Sequence, residues 1–268
     1  MISVGTAADA LSAATAALEA AGCDSPRLDA ELLIADALAV DRAALVIDRQ
    51  MDVPPAAARL IGERVRRRVV REPVAYILGR KGFRGIELMV DSRVLVPRPE
   101  TELLVEQALE LHDGARVHDV GTGSGAVALA LLEERPGLRV SASDLSAAAV
   151  DVARANAQRL GRGLELSVAR GLPRGEFDLV LANLPYVRED EWPGLQPEIN
   201  KWEPRAALVS GTDGLDAIRQ LVTGAPAGTR LALEHAPAQS EAVRQLLREP
   251  VTHRDLAGRE RVTVGSAP

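Results

Sequence analysis

Apolar positions fall into two patterns along this chain. As far as about residue 80 they recur at helical spacing; beyond about residue 115 they come as short, unbroken runs. Thr6 to Ala21 is rich in alanine and leucine, and Gly22 is placed to stop a helix there. Ser25-Pro26 opens a second helix through Asp29, Leu32, Leu33, Ile34 and Leu38, spaced for one apolar face. Pro54-Pro55 begins another, running to about Val70, and Pro73 starts a short segment ending at Gly79. No strand pattern interrupts these pieces, so residues 1–80 are expected to form a small helical bundle.

Residues 81–97 change character. Phe83, Ile86, Leu88 and Val90, followed by Val94, Leu95 and Val96, predict a β-hairpin linker with Asp91-Ser92 at its turn. From residue 98 to 268 strands alternate with helices. The runs Arg116–Val120, Leu138–Ser143, Leu164–Val168, Phe177–Ala182 and Arg230–Glu234 read as strands. Helices are expected around 100–111, 124–134, 146–160 and 213–223. This alternation implies an α/β domain with a parallel sheet covered on both faces. The tail, Val251-Thr252-His253 and Arg261 to Val264 around Gly258, reads as a closing hairpin.

Composition narrows the class. The chain has 268 residues, 47% of them hydrophobic and 26% charged, as in an ordinary globular protein. With only two residues each of Phe, Tyr and Trp, the core must be aliphatic. No stretch approaches the ~20 apolar residues that span a bilayer, and Met1-Ile2-Ser3-Val4-Gly5 lacks the basic start of a signal peptide. The lone Cys23 excludes an internal disulfide and a cysteine metal cluster. His112, His118, His235 and His253 show no metal-ligand spacing, so no metal is expected. These features point to the cytoplasm and to a monomer. A net charge of −6 argues against sequence-specific grip on nucleic acid. Arg59, Arg64, Arg66, Arg67, Arg68 and Arg71 cluster on one predicted helix, read as a solvated face or, alternatively, a docking surface for an acidic protein or RNA. Trp192 and Trp202 either cap a pocket or pack in a core.

Candidate chemistry begins at Val117-His118-Asp119-Val120-Gly121-Thr122-Gly123-Ser124-Gly125, a strand entering a glycine loop and then a helix. The glycines permit a tight turn and close approach of a ligand. Asp144 ends the next strand, where a carboxylate can accept from both ribose hydroxyls of a nucleoside. Dinucleotide enzymes and S-adenosylmethionine enzymes share this arrangement. The Gly-Thr-Gly-Ser-Gly spacing, Asp119 placed to receive an ammonium group, and the late position in the chain favour S-adenosylmethionine. Farther on, Asn183-Leu184-Pro185-Tyr186 leaves an apolar strand. An Asn side-chain oxygen and the following carbonyl are two acceptors at fixed separation, and a tyrosine ring offers a flat wall. Such a corner can hold a planar amide or amino nitrogen in line with a methyl donor.

Further strings occur in one order with these: Glu72 to Gly79, Val94-Leu95-Val96-Pro97-Arg98-Pro99-Glu100-Thr101-Glu102, Glu203-Pro204-Arg205-Ala206-Ala207-Leu208 and Gly214-Leu215. From about residue 27 to 264 the chain closely resembles the release-factor glutamine methyltransferases of the HemK/PrmC type, within the class I S-adenosylmethionine-dependent methyltransferases. The resemblance implies a helical substrate-docking domain over 1–80, a hairpin linker over 81–97 and a Rossmann-like, seven-stranded methyltransferase domain over 98–268. It implies methylation of the glutamine amide in the Gly-Gly-Gln loop of peptide chain release factors. By matching position, Asp119, Gly121, Thr122, Gly123, Ser124, Gly125, Asp144 and Asn183 would bind S-adenosylmethionine. Asn183 and Tyr186 would be catalytic, with Asn183, Leu184, Pro185 and Tyr186 forming the substrate pocket and residues 98–102 packing over the donor site.

Three positions depart from the family pattern. Leu184 replaces a proline, keeping the carbonyl but losing the fixed φ, which predicts a looser, slower corner. The loop Val168-Ala169-Arg170-Gly171 lacks the usual acid near the adenine. Glu234-His235-Ala236-Pro237 replaces Glu-Ile-Gly. Alternative functions from sequence are a glutamine methyltransferase for a ribosomal protein, an adenine-amino methyltransferase on nucleic acid, and a degenerate protein that binds without catalysis.

Overall fold

The computed structural model describes residues 5–48 and 50–268. Met1–Val4, read above as a non-basic start, lies outside the described residues. Packing divides the chain into two units, one of residues up to Gly79 together with Pro197–Trp202, the other of 80–196 together with 203–268.

The first unit is helical, with helices Ala7–Ala20, Pro26–Ala37, Arg42–Ile47, Pro55–Val69 and Val74–Leu78. Thr6 accepts from the Asp9 backbone N–H, and the Asp9 carboxylate accepts from that of Thr6, a reciprocal cap that starts the first helix. Leu11, Leu18, Ile34, Leu45 and Ile61 are buried at its centre. The arginine cluster is neither a solvated face nor an open docking surface for most of its members. Arg64 pairs with Asp36 at 2.5 Å and Arg67 with Glu72 at 2.6 Å. Arg68, only 5% exposed, bridges Asp29 at 2.7 Å and Glu198 at 2.6 Å. Arg71 meets the same Glu198 at 2.7 Å. Glu198 arrives on the short helix Pro197–Trp202, and Trp202 donates its indole N–H to the Val70 carbonyl at 3.4 Å. Of the six arginines, only Arg59 and Arg66 are exposed.

The second unit opens with a hairpin of β1 (Arg80–Phe83) and β2 (Ile86–Met89). Its turn is Arg84-Gly85 rather than the expected Asp91-Ser92. Arg84 adopts a left-handed φ of 48°, and its guanidinium is held by Glu134. Asp91 makes a separate turn instead, accepting from the Arg93 backbone at 3.0 Å; Val94–Val96 pair with no strand. The helix expected over 100–111 is a 3-10 turn at Pro99–Thr101 and a helix of only Glu102–Glu106.

The sheet comprises β3 (Arg116–Val120), β4 (Arg139–Asp144), β5 (Glu165–Val168), β6 (Leu179–Ala182), β7 (Arg230–Glu234), β8 (Arg248–Arg254) and β9 (Glu260–Ser266). Their order is β5-β4-β3-β6-β7-β9-β8, parallel except where β9 runs against both β7 and β8. Every residue of β6 is buried, as are the last four of β3 and of β7; β6 accordingly reads as an unbroken apolar run, while β3 and β7 bury His118, Asp119 and Glu234 as well. The order reverses between β3 and β6, and a crevice opens beyond their carboxyl ends, the usual ligand position in such sheets. No helix among the described residues is long and apolar enough to cross a membrane.

Removing a buried charge from its partners is costly. Arg68→Ala is expected to destabilise the first unit by about 3 kcal/mol, because Asp29 loses its cation within the protein. Urea unfolding followed by tryptophan fluorescence, with Trp202 as the local reporter, measures it.

Candidate active site

Register brings the site together. Val120 lies opposite Ser143 of β4 on one side and Ala182 of β6 on the other. The next residues, Gly121, Asp144 and Asn183, therefore emerge side by side. Gly121, Gly123 and Gly125 have φ of 74°, 55° and 84°, a region side chains disfavour. The backbone N–H groups of Gly121 and Thr122 both donate to the Ser143 carbonyl, at 2.8 and 3.0 Å, folding the loop over the end of β4. Gly123 N–H donates to one Asp144 oxygen at 3.0 Å and Ser146 N–H to the other at 2.9 Å.

The three glycines serve different ends. A Cβ on Gly123 would meet nothing, so only its conformation calls for glycine. A Cβ on Gly125 would press on Leu129 at 3.0 Å, within the packing of the following helix. A Cβ on Gly121 would lie 2.9 Å from Leu184 Cδ2. Leu184, the departure from proline, thus packs directly onto the glycine loop.

Asp119 is buried beneath the loop and accepts from the Thr122 hydroxyl at 2.6 Å. Burial, reinforced by nearby Asp144, pushes its pKa to about 7. A cleft of about 570 Å³ is lined by Asp119, Gly121, Thr122, Gly123, Ser124 and Asp144 together with Asn183, Leu184 and Pro185. Gly125 and Tyr186 stand outside its wall. Ala169, Arg170 and Gly171, none of them an acid, also line it, as do Arg93, Val94, Leu95 and Pro97.

Behind the corner lie residues whose roles the sequence did not announce. Asn183 Nδ2 donates to the Thr101 hydroxyl at 2.9 Å. The Tyr186 hydroxyl donates to Glu234 Oε1 at 3.2 Å, and burial pushes the Tyr186 pKa upward. Gly214 has φ of 77°, and a Cβ there would fall 2.2 Å from the Tyr186 carbonyl oxygen, so the Gly214-Leu215 string exists to let the corner pass. Arg98 pairs with the buried Glu203, which also accepts from Val96 N–H at 3.2 Å. That pair joins the two strings Pro97-Arg98-Pro99 and Glu203-Pro204-Arg205. The available signals were acids ending or following apolar runs, as Glu234 does.

Other sequence candidates are structural. His118 bonds Ser141 and Ser143 at 2.8 and 2.9 Å, with burial lowering its pKa to about 4. His235 is fully buried and reaches Thr263 Oγ1 of β9 at 2.8 Å, which accounts for the Glu-His-Ala variant as a sheet-internal bond. Trp192 lies under the Arg205 guanidinium at 5.9 Å, and neither tryptophan lines the cleft. Among the described residues no group of His, Cys, Asp or Glu is arranged to hold a metal.

A glycine loop and a distal strand-end carboxylate flanking one cleft, on a sheet of this order, define an S-adenosylmethionine-dependent methyltransferase. Family models match in both units: the PrmC N-terminal domain over residues 9–79 and the methyltransferase small domain over 99–194. The chain is 45% identical to the release factor glutamine methyltransferase of Xylella fastidiosa (strain Temecula1), covering 90% of this chain and 94% of the relative. It is 43% identical to that of Cereibacter sphaeroides over 98% and 99%. The solved hMettl16 catalytic domain in complex with the MAT2A 3'UTR hairpin 6 shares the fold, with a TM-score of 0.55 and 14% identity over 77% of this chain and 82% of that one. The chain belongs to the family of release factor glutamine methyltransferases.

Asp119 is an acid whose pKa is raised on folding, so its ionisation opposes folding increasingly from about pH 4 to pH 7. Asp119→Asn keeps an acceptor for Thr122 and should raise the melting temperature of the ligand-free protein at pH 8. At pH 4 the gain should vanish. Calorimetric melts at the two pH values check this.

Proposed function

We propose that the protein transfers the methyl group of S-adenosylmethionine to the side-chain amide nitrogen of the glutamine in the Gly-Gly-Gln motif of peptide chain release factors. One observation carries the reading: Asn183, Leu184 and Pro185 of the corner line the same cleft as the glycine loop and Asp144, with the Asn183 nitrogen already committed to Thr101. The oxygen of Asn183 is then left to accept.

The donor supplies an electrophilic methyl on a sulfonium. Gly121, Thr122, Gly123 and Ser124 present backbone to it, and Asp144 retains lone pairs for two ribose hydroxyls beyond its bonds to Gly123 and Ser146. Asp119 faces the cleft as partner for the donor's ammonium group, which would lower the cost of its ionisation. Gly125 acts through helix packing. Backbone at Ala169 to Gly171 takes the adenine end.

An amide nitrogen is a poor nucleophile because its lone pair is delocalised into the carbonyl. Asn183 Oδ1 and the Leu184 carbonyl accept its two hydrogens, aim the nitrogen at the methyl carbon and stabilise the charge that develops there. As the carbon–nitrogen bond forms, the methyl–sulfur bond breaks with its electron pair left on sulfur; the N–H proton then passes to water, so no strong base is required. Pro185 closes the pocket, and Tyr186 supports the corner from behind through Glu234 rather than as an open wall. Leu184 offsets the lost proline ring by packing onto Gly121.

The helical unit docks the release factor. Exposed Leu60, Val69 and Val70, with Arg59 and Arg66, on and just after the helix Pro55–Val69, support that role. The protein is taken to act as a monomer, and the net charge of −6 supports a protein substrate over nucleic acid. Such a substrate implies the cytoplasm.

Incubation with purified release factor and labelled donor, followed by peptide mass mapping, should place one methyl on the Gly-Gly-Gln glutamine. Label confined to nucleic acid or a ribosomal protein overturns the reading. Asn183→Ala should abolish transfer while calorimetry still detects donor binding. Leu184→Pro should leave the rate equal or raise it; a tenfold loss would show that packing on Gly121 aims the corner, not the ring.

A further inference from the structure

Asn156 lies on the helix Ala147–Arg159 and is completely buried. Both ends of its carboxamide serve groups outside that helix. Oδ1 accepts the Met89 N–H at 2.7 Å, and Nδ2 donates to the Met89 and Ser124 carbonyls, each at 2.9 Å. Reversed, the amide would turn its oxygen on two carbonyls and its hydrogens on an N–H, so these partners admit one orientation. Met89 ends β2 of the hairpin, and Asn156 bonds both of its backbone groups as a neighbouring strand would. Ser124 belongs to the glycine loop.

Two parts of the donor cleft are joined through this side chain. Ser124 lines the cleft, as do Arg93, Val94, Leu95 and Pro97, which lie just beyond the turn that follows Met89. The far end of that segment is held by Glu203, through Val96 N–H and Arg98. Asn156 secures the near end and ties it to the loop. The same helix touches the loop at a second point: a Cβ on Gly125 would lie 3.3 Å from the Cβ of Ala153, one turn before Asn156 on the same face. One turn after Asn156, Arg159 donates to the Glu87 carbonyl of β2. Loop and hairpin thus meet on one helical face.

We propose that Asn156 is a positioning residue for S-adenosylmethionine, clamping the glycine loop to the segment that leaves the hairpin and so fixing the span between two parts of the donor cleft. It does not line the cleft itself, so it acts through Ser124 and Met89. With the Ser124 carbonyl pinned back, the loop holds one conformation before the donor arrives, and binding need not order it. Without the clamp, loop and segment move separately and the donor must bring them together. The loss then falls on donor affinity. Methyl transfer from a bound donor is aimed by the Asn183 corner, which the clamp does not touch, so kcat is spared. The inference concerns the donor and holds whichever amide is methylated.

The test uses the full chain. Asn156→Ala leaves three buried backbone groups unpaired and should lower the melting temperature. Well below that temperature, calorimetry with S-adenosylhomocysteine should show Kd raised at least tenfold. With purified release factor and saturating donor, kcat should stay within about threefold of the unaltered protein. Arg159→Ala removes a hairpin anchor without touching the loop and should leave Kd within about twofold. A variant at Asn156 that melts earlier but binds S-adenosylhomocysteine normally overturns the proposal, as does a loss confined to kcat or an equal loss of affinity in Arg159→Ala. Amide exchange on the unaltered protein decides the matter even if Asn156→Ala fails to fold. Saturating S-adenosylhomocysteine should slow exchange of the Met89 N–H together with that of residues 121–125, although no residue of β1 or β2 lines the cleft. Protection of the loop with none at Met89 sinks the clamp. If the release factor stays unmethylated, the proposed function fails, while the binding and exchange measurements still judge Asn156.

Discussion

Val120 of β3 stands opposite Ala182 of β6, and the rest of the site depends on that register. A sheet has period two, so a slip of one residue would send each side chain of β6 to the opposite face and carry Asn183 away from the glycine loop. The apolar residues Leu179 to Ala182, buried on both sides and paired with β3 and β7, hold β6 at the centre of the sheet. The chemistry at the strand ends is therefore positioned by residues that take no part in it. The neighbouring pairings extend the same logic to Asp144 on β4 and Glu234 on β7.

Three acids in or behind the wall of the cleft are made costly by folding. Asp119, Glu203 and Glu234 are nearly inaccessible, and burial raises the pKa of each. Only Glu203 has an arginine directly against it. Asp119 and Glu234 border the donor loop and the acceptor corner respectively. Such placements are a familiar mark of functional sites, where stability is given up for polarity at a chosen point.

The central strand β6 was legible because full burial writes itself as an apolar run, and the glycine loop because left-handed backbone demands glycine at set intervals. The hairpin turn was misplaced because Asp91-Ser92 is a strong turn signal in its own right, while Arg84 accepts a left-handed φ that arginine does not advertise. The arginine cluster was misread because its partners, Asp29 and Glu198, are separated from it along the chain, and no local pattern encodes a salt bridge at that range. Thr101 and Glu234 escaped for the same reason: their meaning arises only where three remote segments meet. Leu184 showed as a departure in sequence, but its packing onto Gly121 is a fact of three dimensions.

The short helix Pro197–Trp202 has a consequence for biogenesis. Arg68 and Arg71 are synthesised early, whereas their shared counter-ion Glu198 belongs to a segment made far later. The amino-terminal helices can collapse as they leave the ribosome with Arg68 already paired to Asp29, yet Arg71 and the second partner of Arg68 wait for an anion that is not yet translated. Completion of the first unit is thereby timed by synthesis of the second. A nascent chain stopped before residue 198 would hold an amino-terminal bundle whose Arg71 lacks its carboxylate partner, open to any acidic surface nearby.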